Sequence, residues 1–249
     1  MEVLGIDIGG SGIKGAIVDV ATGELVTERH RIPTPSPSTP DNMADTVNEL
    51  ISAFSWSGEI GCSFPSVIID GKAMTAGNIS DEWIGVNVEE IFKEHCKGLT
   101  FHVGNDADLA GVAEMKYGAG QELDGKVIMI TIGTGIGSGL FFNSELVPNL
   151  ELGHIFHTDG RPIELWASDS ARKRDELELE EWAGRFNFFL SHVIRTFSPD
   201  HFILGGGISK KYHQFRDYLT VETPIYVAQS RNHAGIIGAA VYAHSKNEL

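Results

Sequence analysis

Asp7-Ile8-Gly9-Gly10-Ser11-Gly12-Ile13-Lys14-Gly15-Ala16 follows the apolar run Val3-Leu4-Gly5-Ile6 and leads into Ala16-Ile17-Val18. Strand-like runs on either side of this glycine cluster predict a β-hairpin with a widened turn stripped of side chains. Such a turn exposes backbone N–H groups. Glycine lets an anion approach them and readily adopts the positive φ that curves successive donors into a nest. Phosphate is the anion this suits, and Asp7, at the strand end, is placed to hold Mg²⁺ or its water. An ordinary glycine-rich hairpin has the same local pattern. A second stretch separates the two readings. Strand residues Lys126 to Ile132 lead into Gly133-Thr134-Gly135-Ile136-Gly137-Ser138-Gly139, and Leu140 to Asn143 continues as strand. The repeat of strand, glycine turn with a hydroxyl, and strand predicts a duplicated α/β architecture in which each half gives one phosphate loop to a shared cleft.

Composition narrows the partners. The 249 residues include 29 glycines, well above the usual share of about 7%, and they gather in a few loops where backbone can meet ligand. A net charge of -15 argues against nucleic acid or an acidic membrane surface as a partner, although a local nest with a metal ion and a few cations can still hold a polyanion. Cys62 and Cys96 stand alone, without a CxxC or Cys/His cluster, so neither a disulfide framework nor a zinc site is expected. The first strand begins by residue 3, leaving no room for a signal peptide, and no apolar run approaches the roughly 18 residues of a membrane span. The expected location is the cytoplasm.

In chain order, Leu25 to Arg31 reads as a third strand, and Pro33 to Pro40, rich in proline and serine, as a surface connector. Asp41 reads as the N-cap of a helix over about 42–55 with Met43, Val47, Leu50, Ile51 and Phe54 on one face. Strands follow at Glu59–Phe64 and Ser66–Asp70. The polar loop Ala76 to Gly85 carries Trp83, a ring suited to the apolar face of a pyranose and equally at home in a plain loop. After a helix near Val86–Cys96 and a strand at Leu99–Val103, Gly104-Asn105-Asp106-Ala107-Asp108 opens a helix to about Tyr117, with one Asp as cap and the other free to project toward ligand. Glu151-Leu152-Gly153-His154 and Glu164 fall beyond the second glycine turn. A helix over about 176–197 presents Leu179, Trp182, Phe186, Phe189, Val193 and Ile194. Gly205-Gly206-Gly207 after the strand His201–Leu204 suits either a nucleotide lying on backbone or a tight strand-to-helix turn. A closing helix of small residues begins near Asn232.

DIGGSGIKGA at 7–16, GNDADLAG at 104–111, TIGTGIGSGL at 131–140, ELGH at 151–154 and LGGGIS at 204–209 resemble, in this order, the motifs of the ROK family of sugar kinases. The proline-rich connector, the WIG loop, VPNLELGH and NHAGIIGAA resemble its polyphosphate glucokinase branch. That branch also lacks the family's cysteine-rich zinc motif, and no Cys follows Cys96 here.

The resemblance implies an actin-like, ribonuclease H-like fold of two α/β domains with the active site in the cleft. One domain would span 1–103, completed by the closing helix at about 231–249, and the other 104–230. Asp106 is then the general base toward the sugar 6-hydroxyl. Asn78, Asn105, Asp106, Glu151, His154 and Glu164 bind the sugar. Gly9, Gly10, Ser11, Gly12, Lys14, Thr134, Gly135, Gly137, Gly206 and Gly207 face the phosphoryl donor, with Mg²⁺ near Asp7, through water, and no zinc. The implied reaction is transfer from polyphosphate, or also ATP, to the 6-hydroxyl of glucose by a homodimer. Lys210, Lys211, Arg161, Arg172, Lys173 and Arg174 are the candidate cations for a long phosphate chain. The alternatives are an ATP-only kinase of glucose or a related hexose or amino sugar, and a sugar-binding regulator without catalysis, which would need a DNA-binding region ahead of residue 7.

Overall fold

A computed structural model describes residues 1–246, so the last part of the expected closing helix, residues 247–249, lies outside the described residues. The chain forms two compact units, Met1–Ala113 with the segment from Asn232 onward, and Glu114–Arg231. Each is built on its own sheet, and the two sheets share one topology. In the first, β1 (Glu2–Gly9), β2 (Gly12–Asp19), β3 (Glu24–Leu25), β4 (His30–Ile32), β5 (Ile60–Phe64) and β8 (Phe101–Asn105) run in the order β3-β2-β1-β5-β8, with β4 also on β2. The intervening short hairpin is β6 (Ile68–Ile69) and β7 (Lys72–Ala73). In the second, β9 (Lys126–Ile132), β10 (Ile136–Phe142), β11 (Glu145–Val147), β12 (His201–Gly205) and β13 (Ile225–Val227) run β11-β10-β9-β12-β13. In both, the first strand pairs antiparallel with the second (β1 with β2, β9 with β10) and parallel with a later one (β1 with β5, β9 with β12).

Alternation along β1 explains the layers of the first unit. Leu4, Ile6 and Ile8 share a core with Met43, Val47 and Leu50 of α1 (Pro40–Phe54). Gly5 and Asp7 face α8 (Ala234–Lys246), whose small residues let it sit on the strands. A Cβ on Gly5 would collide with the Ile236 carbonyl, and one on Gly61 with that of Ala239. In the second unit Trp182, Phe186, Phe189, Leu190 and Val193 of α6 (Leu179–Phe197) pack with Ile128, Ile130, Phe202 and Leu204 of the sheet. No helix among the described residues is long and apolar enough to cross a membrane.

Several local expectations are corrected. The third strand is broken into β3 and β4, because the pairing shifts by two residues between Val18↔Leu25 and Ile13↔Ile32. At the break the Thr27 hydroxyl accepts from Ile17 N. Helix α1 starts at Pro40, one residue before Asp41, since proline at the first helical position needs no N–H partner. The proline-rich stretch is a surface connector as expected, and it is tied down at two points: Thr34 Oγ1 donates to Gly9 O, and Ser38 O accepts from Trp83 Nε1 at 3.0 Å. Trp83 is fully buried, with its ring centroid 4.8 Å from Phe64 and 5.9 Å from Phe92. It is a core residue and covers no sugar. Trp83→Ala should therefore cost about 3–5 kcal/mol in urea unfolding, while Trp83→Phe, which keeps most of the ring, should leave the KM for any sugar substrate unchanged.

Candidate active site

The strands of the first unit bring their carboxyl ends together, the usual place for ligands in a parallel sheet. The register Lys14↔Asp7↔Ser63↔Gly104 sets these residues in one row on one face. Lys14 Nζ lies 3.0 Å from Asp7 Oδ2, and Ser63 Oγ donates to Asp7 Oδ1 at 3.3 Å. Next in the chain come Asn105, ending β8, and Asp106, opening α3 (Asp106–Tyr117).

Asn105 caps α3. Its Oδ1 accepts from Ala107 N at 2.9 Å and Asp108 N at 3.2 Å, and its Nδ2 donates to Ser66 O at 3.1 Å. The expectation that an Asp caps this helix is thereby corrected: an amide at the last strand position reaches both N–H groups. Of the two carboxylates, Asp108 is buried and Asp106 is exposed at the helix start, accepting from Ala107 N at 2.8 Å.

The first glycine turn is tighter than expected. Gly9 pairs with Gly12, leaving Gly10-Ser11 as a two-residue turn. Among the described residues, none of Gly9, Gly10, Gly12, Gly133 and Gly135 is among the glycines with positive φ, so the expected nest of left-handed glycines is not the geometry found. Their lack of a side chain answers to close approach instead. A Cβ on Gly10 would lie 2.9 Å from Asn78 Cβ and 3.0 Å from Asn78 O, which seats the Asn78 loop against this turn. Around Gly9 a Cβ would meet little, and around Gly133 and Gly207 nothing within 4 Å. Neither packing nor a positive φ accounts for glycine at those last two positions.

The second unit interlocks its turn with the sugar candidates. Ile132 pairs with Ile136 around Gly133-Thr134-Gly135. Ile136 N donates to Glu164 Oε2 at 3.0 Å, and a Cβ on Gly135 would strike that same carboxylate. Ser170 N, in α5 (Asp169–Arg174), donates to Gly133 O at 3.1 Å. Glu164 begins α4 (Glu164–Ala167), and its Oε1 lies 3.7 Å from His154 Nε2. His154 Nδ1 is 3.8 Å from Glu151 Oε2. Glu151 and His154 of one turn and Glu164 of α4 thus form one cluster around a half-exposed imidazole. Gly153 must be glycine, since a Cβ there would meet the Ile136 carbonyl, and Ser138 Oγ accepts from Leu152 N at 2.9 Å, docking the ELGH turn on β10. Burial raises the Glu151 carboxyl above its ordinary value, with His154 opposing and Glu164 adding. Gly206, at φ 78°, abuts the Ile132 backbone next to the turn, so the tight strand-to-helix reading holds there, while exposed Gly207 faces open space.

The cations proposed for a phosphate chain divide sharply. Arg161 is held by Asp159 at 2.7 Å, Arg172 and Lys173 by Asp169 at 2.8 and 2.7 Å, and Arg174 by Asp175 at 2.8 Å. Lys210 and Lys211 are exposed, and neither takes part in any of the ion pairs found among the described residues. Sequence reasoning missed Ser63, Ser66, Arg31 and Ser170, whose roles rest on cross-strand register or on contacts distant in the chain. Among the described residues, Tyr212–Phe215 (α7) and Val88–His95 (α2) complete the α-helices.

The chain matches the ROK family over residues 3–164. It is 40% identical over 237 residues to the polyphosphate glucokinase of Mycobacterium tuberculosis, spanning 95% of this chain and 89% of that protein. The solved inorganic polyphosphate/ATP-glucomannokinase of Arthrobacter sp. strain KM superposes with a TM-score of 0.92 at 42% identity, over 98% of this chain and 99% of that one. A ROK family glucokinase from Streptomyces griseus, solved in complex with glucose and AMPPNP, has a TM-score of 0.83 at 24% identity, over 98% and 100% of the two chains, a likeness of fold. With the duplicated strand order and these motifs, the fold is the actin-like fold of sugar kinases, and the chain belongs to the ROK family.

Proposed function

We propose that this protein transfers the terminal phosphoryl group of inorganic polyphosphate, with ATP as a second donor, to the 6-hydroxyl of glucose. The observation that carries this reading is the similarity, over nearly the whole chain, to a polyphosphate glucokinase and a polyphosphate/ATP-glucomannokinase. In the reaction, the sugar 6-oxygen forms a bond to the terminal phosphorus as the bridging P–O bond breaks, its electrons leaving on the shortened donor. Asp106 accepts the hydroxyl proton. Glu151, His154 and Glu164 hold sugar hydroxyls, as do Asn78 and Asn105. Positioning of this kind, together with charge stabilisation, supplies most of the rate in phosphoryl transfer.

The donor lies against Gly9, Gly10, Ser11, Gly12 and Lys14 of one turn and Thr134, Gly135, Gly137, Gly206 and Gly207 of the other unit. A divalent metal suits Asp7: Mg²⁺ commonly takes one or two carboxylates plus phosphates and keeps several waters, and among the described residues no group of three His, Cys, Asp or Glu gathers to hold a metal by itself. When bound, Mg²⁺ would neutralise charge on the phosphates. The same reading carries a cytoplasmic homodimer.

A raised carboxyl takes up its proton at a higher pH than an exposed glutamate, so the Glu151 acceptor is lost early on acidification. Glucose Kd measured by calorimetry should rise severalfold as pH falls toward and through the ordinary value of 4.5 from above, and Glu151→Gln should flatten that rise. The linked sign for folding is opposite: this group's contribution to stability weakens as pH rises through the same window.

The donor comparison tests the function. With glucose and Mg²⁺, purified protein should form glucose 6-phosphate from long-chain polyphosphate and from ATP. Product from ATP alone would overturn the polyphosphate reading, and no product from either would overturn glucose kinase activity.

A further inference from the structure

The row across the first sheet does not end at Lys14. Arg31 of β4 is the direct cross-strand partner of Lys14, so the row runs Arg31, Lys14, Asp7, Ser63, Gly104. Residues directly opposite one another share a face, and the pattern of contacts agrees. Ile13 and Ile32, the neighbouring pair, point to the core with α1, while Asp7 touches Gly235 at the start of α8. Four interstrand steps of about 4.8 Å give this row a length of roughly 19 Å. One end lies beside Asn105 and Asp106, the other at the edge of the sheet.

Charge along the row is uneven. Lys14 is answered by Asp7 at 3.0 Å. Arg31 is exposed, and it takes part in none of the ion pairs found among the described residues. Its guanidinium lies flat over the donor turn: Nη2 donates to Ser11 O at 2.6 Å, and a Cβ on Gly12 would be 2.6 Å from Nε. That single bond leaves most of the guanidinium's five N–H donors for another acceptor. Two residues earlier, just ahead of β4, Arg29 is exposed and close enough to His233, just before α8, to act on it electrostatically. By contrast, four of the six cations picked out from the sequence are already matched with carboxylates.

We propose that Arg31, with Arg29 behind it, binds the phosphates of a polyphosphate donor that lie beyond the turn Gly10-Ser11, and so leads a long chain out along the edge of the first sheet. The ligand class is a linear inorganic polyanion with repeated phosphate oxygens, which the planar fork of arginine meets two at a time. This rests on the reading of polyphosphate as donor. It goes further by assigning the part of the chain that is not transferred.

The test is equilibrium binding without sugar, so it does not depend on turnover. Tripolyphosphate and a long-chain polyphosphate are titrated into the wild type, Arg31→Ala, Arg31→Lys and the double variant Lys210→Ala/Lys211→Ala, at two salt concentrations. Arg31→Ala should weaken long-chain binding by about tenfold or more and tripolyphosphate binding much less, and it should reduce the salt dependence for the long chain. Arg31→Lys, which keeps the charge without the fork, should recover part of the loss. An equal loss for both lengths would show that Arg31 only holds the turn through Ser11, and would overturn the proposal. So would wild-type affinity in Arg31→Ala, or a long-chain loss confined to the lysine variant. Failure of the wild type to make glucose 6-phosphate would strike the function and leave this binding result standing on its own.

Discussion

Asp106→Asn should reduce kcat for glucose 6-phosphate formation by about a thousandfold, within the range of roughly 10²–10⁴ typical when a general base is lost. The substitution preserves shape and leaves an oxygen to accept from Ala107 N, which Asp106 now does at 2.8 Å. Asn105, which caps α3, is untouched, so the helix start should hold. What disappears is a group able to take the hydroxyl proton. Glucose Kd should change by no more than about threefold, and the loss should fall on the rate with either donor. A near-wild-type rate in Asp106→Asn would remove it from the role of base. The exposed position of Asp106, set against the burial of Asp108, supports the proposal of Asp106 as the base of the two carboxylates of the motif.

The second large effect is on stability. Glu114 is fully buried in the last turns of α3, and its carboxylate accepts from three backbone donors: Ala119 N at 2.9 Å, Gln229 N at 3.0 Å and Ser230 N at 2.6 Å. It fastens the loop after β13 to α3 within the second unit. Glu114→Ala strands these N–H groups, at about 1–3 kcal/mol each when buried, and opens a cavity. A fall in Tm of roughly 10 °C or more is expected for a protein of this size. Glu114→Gln keeps one carbonyl oxygen and should lose markedly less. Differential scanning calorimetry on both variants checks this, and an unchanged Tm in Glu114→Ala would contradict the role.

Both glycine turns were legible in the sequence because their signal is local: apolar runs on either side of glycine clusters, repeated once. The helix faces of α1 and α6 were legible for the same reason, since residues three and four apart lie together. What stayed hidden depends on partners far away in the chain. Trp83 sits in a polar loop by composition, yet Phe64, Phe92 and the Ser38 carbonyl enclose it. The basic run Arg172-Lys173-Arg174 has the composition of an anion site, but Asp169 and Asp175 fold against it. Arg31 drew no notice because its meaning lies in its register with Lys14 and its reach to Ser11. Part of the reason for the turn glycines also lies outside the local pattern. Of the two reasons expected, close approach past a missing side chain and a positive φ, the second is not found in the turns, and at Gly10 and Gly135 the missing side chain makes room for Asn78 and Glu164. The site residues of the resemblance are spread over both units, and within the second unit the structure gathers Glu151, His154 and Glu164 around one imidazole.

Phosphorus NMR of the wild-type protein with glucose, Mg²⁺ and polyphosphate as sole donor tests the central claim most directly, because it reports both where the phosphoryl group goes and what it leaves. The predicted result is a growing glucose 6-phosphate resonance coupled to the protons on C6, matched by a fall in the internal phosphate signal of polyphosphate while its end-group signal persists. A sugar 1-phosphate, or inorganic phosphate alone from attack by water, would contradict transfer to the 6-hydroxyl.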